Sequence, residues 1–235
     1  PLAESSIVGT AIGMATLGYK PVVEIQFGDY IWYGMMQIRN ELATMRYRSN
    51  GKWSCPLVIR VPVGGYIHGS LCHSQCIDGY FTHLPGIYIA YPSNAADAKG
   101  LLKMACRMDD PVMFMEHQGL YRQGFSSVPE PDKNYLIPYG KAATVQEGND
   151  VTIIAWGALV QKSIEASRNT GVSAEIIDLR TLNPLDMKTI LTSIQKTNRA
   201  IITHEDNLTN GFGAEISARI NEEGFEYLDA PLKRV

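Results

Sequence analysis

Apolar and polar positions along the chain switch repeatedly between a helical and an extended period. Glu4 to Leu17 puts Ile7, Val8, Ala11, Ile12, Met14 and Ala15 on one helical face, and Gly18 suits the position just past a helix end. Pro21 to Gln26 reads as a short strand. Tyr30 to Arg48, rich in aromatics and methionines, reads as one long helix with a basic end. Leu57 to Val61 is a β-branched, apolar run of the kind found in buried strands, and it breaks at Pro62. A short helix is expected from Ser74 to His83, a strand from Gly86 to Tyr91, a helix capped by Asn94 and running to Arg107, and a strand from Pro111 to Glu116.

Gln118 to Pro138 breaks the pattern. It is polar, contains three prolines at 129, 131 and 138, and reads as a connection between two units. The alternation then resumes with strands at Val151–Trp156, Ala174–Leu179 and Ala200–Glu205 and helices at Leu159–Asn169, Leu185–Lys196 and Gly213–Glu223. Strand and helix in turn argue an α/β fold: two units, each a parallel sheet with helices on both faces. Both ends of the sequence read as cuts in a longer chain.

Composition narrows the class. With 235 residues the chain suffices for one large or two ordinary domains, and 45% hydrophobic with 19% charged residues suits a folded core. A net charge of -3 gives no reason to expect a nucleic-acid partner. No apolar run is long enough to span a bilayer, so no membrane partner is expected, and the first residues do not look like a secretion signal. The four cysteines, Cys55, Cys72, Cys76 and Cys106, lack the spacing of a disulfide scaffold and suit a reducing compartment.

Chemistry concentrates after the Leu57–Val61 strand. The segment V-P-V-G-G-Y-I-H-G-S-L-C-H-S-Q-C, Val61 to Cys76, brings three glycines, two histidines and two cysteines into one loop at the C-terminal end of a strand. Ligands of parallel α/β sheets bind at that end. A zinc site from Cys72, His73 and Cys76 has plausible spacing but lacks a nearby fourth ligand. There is no P-loop and no G-x-G-x-x-G.

Several segments in order carry a family resemblance. P-L-A-E-S-S-I-V-G-T-A-I-G at the start, V-E-I-Q-F-G-D-Y-I, R-Y-R-S, H-G-S-L-C-H-S-Q and P-G-I-Y-I-A-Y-P-S resemble the thiamine-pyrimidine domain of beta subunits of 2-oxoacid dehydrogenases. I-I-D-L-R-T-L-N-P-L-D and H-E-D-N-L-T-N-G-F-G-A-E-I resemble the C-terminal domain of the same subunits. E-I-Q-F-G-D-Y, L-Y-R and the H-E…L-T-N-G-F block look most like the branched-chain enzyme, with pyruvate or acetoin enzymes as the near alternative. The resemblance implies a thiamine-pyrimidine domain at residues 1–128, a linker at 129–138 and a smaller transketolase-like C-terminal domain at 139–235.

The resemblance also implies roles. Glu4 would be the carboxylate that hydrogen-bonds the aminopyrimidine of thiamine diphosphate, although by pattern alone it is an acid at a helix N-terminus. Tyr30 would stack on that ring with Gln26 beside it, although by period alone Tyr30 reads equally as a core aromatic at a helix start. His73 would do acid/base work as the acyl group moves to a lipoyl arm, and His68 would line the pocket. Asp109, with Leu57, Ile59 and Cys106, would hold a monovalent cation such as potassium, the plainer reading of Asp109 being a turn acid. His204 and Glu205 read as strand-end or interface polar residues, and Asp178 and Arg180 as braces of the second domain's fold or of its subunit contacts. The magnesium-binding G-D-G…N segment is missing, Gly28-Asp29-Tyr30 being the only approach to it. Magnesium would therefore be held mainly by an alpha subunit, separate or fused. A lipoyl-bearing transacylase and a 2-oxoacid substrate complete the expected partners, in bacterial cytoplasm or the mitochondrial matrix. A transketolase-type transfer and a non-catalytic docking module are the competing readings.

Overall fold

A computed structural model describes residues 2–235. Its first half contains α1 (Glu4–Thr16), β1 (Val22–Glu24), α2 (Met45–Arg48), β2 (Val58–Val63), α3 (Asp78–Thr82), β3 (Tyr88–Ala90), α4 (Ala95–Ala105) and β4 (Val112–His117). The second half contains β5 (Ala143–Gln146), β6 (Val151–Ala155), α5 (Ala158–Thr170), β7 (Ala174–Asp178), β8 (Thr181–Asn183), α6 (Met187–Thr197), β9 (Ala200–Thr203), α7 (Phe212–Gly224) and β10 (Lys233–Arg234).

The strands form two five-stranded sheets, in the orders β1-β2-β4-β3-β8 and β10-β9-β6-β7-β5. Each is parallel except for one antiparallel edge strand, β8 on β3 and β5 on β7. All six residues of β4 are buried, which is why the apolar run of this central strand shows no alternation. Three strands escaped the sequence pattern. β5, β8 and β10 are two to four residues long, too short for a period to show.

Two expected helices are different. The segment 30–48 is not one α-helix: a 3-10 helix at Gly28–Gly34 is followed by a π-helical turn at Gln37–Leu42 and then by α2. A Cβ added at Gly34 would lie 3.4 Å from the Glu4 carbonyl oxygen, so this glycine lets the chain press against the start of α1. The helix expected over 74–83 is confined to Asp78–Thr82, because the residues before it are committed to a loop with positive φ at Tyr66, His68, Ser70 and His73.

The connection is tied down rather than free. Lys99 donates to Glu130 and to the Pro131 carbonyl, both at 2.7 Å, and Ile137 is buried with Leu101, Val112 and Phe114 against one face of the first sheet. The two units also share one continuous core running from Val8 and Ile59 to Trp156, Ile190 and Ile216.

Polar contacts close the junction. Arg180 clamps the buried Asp97 carboxylate through two bonds of 2.8 and 3.0 Å, and Ser93 donates to Asp178 at 2.5 Å. Asp178 and Arg180 thus brace one unit against the other, not the second domain alone. Trp156, just past β6, donates its indole N–H to Asp78 at 3.0 Å and stacks on His204. Burial, and then the charge of Asp206, push the Asp78 carboxyl up to about 7, from an ordinary 3.8. Its folded pKa is raised, so the proton bound there adds stability that is complete below the ordinary value and is lost as pH rises through about 7. Asp78→Asn keeps an acceptor for Trp156 and removes the ionisation. Its melting temperature relative to the parent is expected to improve between about pH 5 and about pH 8 in thermal scans. A gap that does not change with pH would contradict this account.

Candidate functional site

The site is assembled where β2 and β4 end. Parallel pairing sets Val63 opposite His117. Gly64 follows at φ +82, and a Cβ there would come within 2.4 Å of the His117 ring. The backbone turns closely against the imidazole at a position where no side chain fits. The loop then passes Tyr66, His68 and Ser70, all at positive φ, before reaching His73.

His73 lands against the 3-10 helix 28–34. Its Nε2 lies 2.6 Å from the Tyr30 hydroxyl, and its ring meets Phe27 edge-on with centroids 4.3 Å apart. Phe27 and Tyr30 also pack at right angles, 5.8 Å apart. These three rings form a half-buried aromatic corner with an imidazole set into it. Glu4 opens α1, which packs on the same 3-10 helix at Gly34. Its residue is 9% exposed, and among the described residues no side chain or backbone group hydrogen-bonds its carboxylate.

Of the residues singled out from the sequence, the structure brings Tyr30 and His73 into direct contact and puts Glu4 on the adjoining element. His68 is exposed on the loop, near Tyr66, and Gln26 is exposed just after β1. Asp109 does not present a free oxygen cage. Lys20 donates to its carboxylate at 3.1 Å and to the Arg107 and Met108 carbonyls, each also at 3.1 Å. The Leu57 carbonyl accepts the Val112 N–H, and Ile59 is paired within the sheet. Those donors do not fit a bound potassium ion as they stand, because an ammonium already occupies the Asp109 corner. Cys72 is exposed and Cys76 buried, all four cysteines are free, and among the described residues no group of three His, Cys, Asp or Glu is placed to hold a metal.

Three contributors were not anticipated. The loop is held by Gln118, whose Nε2 donates to the His73 carbonyl at 2.9 Å, and by Glu205, which accepts the Gly65 N–H at 2.6 Å and contacts His117 Nε2 at 2.5 Å. H-E was visible in the sequence as a strand end, but nothing local connects it to a loop 140 residues away. L-Y-R has a structural part too: Tyr121 donates to Glu116 at 2.7 Å, and Arg60 grips the same carboxylate through two bonds. Beside these residues a cleft of about 450 Å³, lined by Arg60, Lys99, Glu116, His117 and Tyr121, lies apart from Glu4, Tyr30 and His73.

Residues 1–123 match the transketolase pyrimidine binding domain, and residues 140–235 match the transketolase C-terminal domain. The whole chain is 44% identical to the 2-oxoisovalerate dehydrogenase subunit beta of Bacillus subtilis (strain 168), covering 72% of that protein. It belongs to the transketolase-like family of 2-oxoacid dehydrogenase beta subunits. The mitochondrial 2-oxoisovalerate dehydrogenase subunit beta of Dictyostelium discoideum is 48% identical, with 64% of its length covered. The pyruvate dehydrogenase E1 component subunit beta of Bacillus subtilis is 44% identical, with 73% covered. This beta chain thus spans roughly two thirds of the curated relatives it matches. A split-gene transketolase, described as an inactive beta4 tetramer, has the same fold at a TM-score of 0.79 and 24% identity, matching all of this chain and 72% of its own. No helix among the described residues is long and apolar enough to cross a membrane.

Gly64→Ala tests the loop's origin. It adds a Cβ against His117 at a backbone angle that disfavours side chains. Urea unfolding is expected to show a loss of roughly 2 kcal/mol or more. Parent-like stability would mean that the loop does not lie against His117.

Proposed function

We propose that this beta chain forms the pyrimidine-side half of a thiamine diphosphate site that decarboxylates a branched-chain 2-oxoacid and passes the acyl group to a lipoyl carrier. The observation that carries this reading is the His73–Tyr30 contact in an aromatic corner, with the largely buried Glu4 opening the helix that packs on the same 3-10 helix and having no hydrogen-bond partner among the described residues. The three residue types suit the cofactor's pyrimidine end: an aromatic face, an imidazole and an acid. Thiamine diphosphate, when bound, supplies the carbon nucleophile and the sink for the electrons released on decarboxylation. Glu4 holds a proton against a ring nitrogen of the aminopyrimidine. Tyr30 and Phe27 bound the ring's space and keep water from it. His73, oriented by the Tyr30 hydroxyl, moves a proton during transfer of the acyl group to sulfur. Gln26 and His68 extend the pocket wall. Relatives bearing 2-oxoisovalerate names favour a branched-chain acid, and the equally similar pyruvate relative makes pyruvate the competing substrate. Those relatives come from a bacterium and from mitochondria, which suits cytoplasm or mitochondrial matrix.

Glu4→Gln in the enzyme assembled with an alpha chain is expected to lower decarboxylation by roughly 10²–10⁴-fold, read with an artificial electron acceptor against a panel of 2-oxoacids. Near-parent turnover would remove Glu4 from the mechanism, and a preference for pyruvate in the parent would change the substrate assignment.

The diphosphate end is left to an alpha subunit. Arg46 and Arg48 are paired with Asp110 and Glu41, each at 2.5 Å, and the Asp29 carboxylate accepts the Gln75 N–H. No cluster among the described residues suits magnesium. Tyr33, Met36, Tyr47 and Trp53 are each more than 60% exposed, apolar surface suited to a partner. Titration calorimetry is expected to show little binding of thiamine diphosphate and magnesium to this chain alone and clear magnesium-dependent binding once the alpha chain is added. Tight binding to the chain alone would refute the divided site.

A further inference from the structure

His117 and Glu205 come from different units and meet above the glycine loop. Glu205 follows β9, whereas His117 ends β4. The Gly119 N–H donates to His117 Nδ1 at 3.0 Å, so that nitrogen carries no proton in this arrangement. The proton is then on Nε2, which donates to Glu205 Oε2 at 2.5 Å. The other carboxylate oxygen, Oε1, takes the Gly65 N–H at 2.6 Å. Gln118, the next residue after His117, donates to the carbonyl of His73 at 2.9 Å and reaches the Gly64 carbonyl at 3.4 Å. The loop is therefore held at both ends by His117-Gln118, and Glu205 locks its beginning.

The lock has something to resist. Tyr66, His68, Ser70 and His73 all sit at positive φ, a conformation that side-chain-bearing residues leave unless surroundings enforce it. Burial pushes the Glu205 carboxyl up, but the His117 contact, then the Gly65 N–H bond and the Lys162 charge, together outweigh it and lower the carboxyl from its ordinary value, so it accepts both bonds as an anion. We propose that Glu205 is a positioning residue: through Gly65 and the fixed tautomer of His117, the second unit sets the placement of His73 against Tyr30. The mechanistic part of this inference rests on the role given to His73 above, whereas the placement of the loop does not.

The test uses the enzyme assembled with its alpha chain. Glu205→Gln keeps the length of the side chain but loses the anion. Its amide can satisfy Gly65 or His117 but not both without turning the imidazole proton toward the Gly119 N–H. Hydrogen exchange is expected to accelerate at residues 65–73, with β2 and β4 still protected. Lipoyl acylation is expected to fall on the order of tenfold, with dye-linked decarboxylation reduced much less, and His73→Ala is expected to show the same split. Glu205→Asp, which keeps the charge, should recover part of the loss. Unchanged exchange in the loop, or acceleration spread evenly through β2 and β4, would overturn the positioning role. If the loop loosens selectively but His73→Ala spares both reactions, the role of His73 fails and the control of the loop by Glu205 stands.

Discussion

The parallel register of β2 on β4 is the constraint from which the site hangs. Six consecutive pairs end with Val63 opposite His117, and the residues that follow each strand become the loop and its clamp. Side chains alternate between the faces of a sheet, so a shift of one residue would turn His117 away from Gly64 and replace a flat imidazole by a different group. The pairing is protected because β4 lies between β2 and β3 and is buried along its whole length. An edge strand would not hold such a register as firmly. His117, Gln118 and the turn at Gly64 are thus placed by the most constrained part of the first sheet.

From that base, the candidate site is carried by less regular backbone. The 3-10 helix 28–34 brings Phe27 and Tyr30 to one side of His73, and Gly34 allows it to meet α1 beside Glu4. A continuous α-helix would direct these aromatics at a different spacing. Strained backbone is affordable here because hydrogen bonds from three separate elements restrain the loop.

The junction between the two units belongs to the same structure. β8, from the second half, pairs with β3 of the first sheet. Asp97 and Asp178 would be costly as lone buried acids, but Arg180 and Ser93 satisfy them across the boundary. A rigid junction is a condition for Glu205 to act on Gly65 at hydrogen-bond distance. The second half of the chain therefore completes the site of the first as well as packing beside it.

The sequence by itself determined the α/β class and most of the long elements, and it singled out Glu4, Tyr30 and His73 as candidates that the fold puts on adjoining elements. Hydrophobic period is a local property, and the family motifs are contiguous, so both can be read without a fold. The short edge strands, the broken helix over 28–48 and the narrowed α3 were decided by packing, since each departs from what its own residues favour. Only the tertiary structure could show Lys20 on Asp109, or Glu205 on His117 and Gly65. Those partners are far apart in the chain, and each alone is an ordinary polar residue near a strand end. A hydrogen bond depends on tenths of an ångström between atoms, and residue order constrains such a distance only through the whole fold.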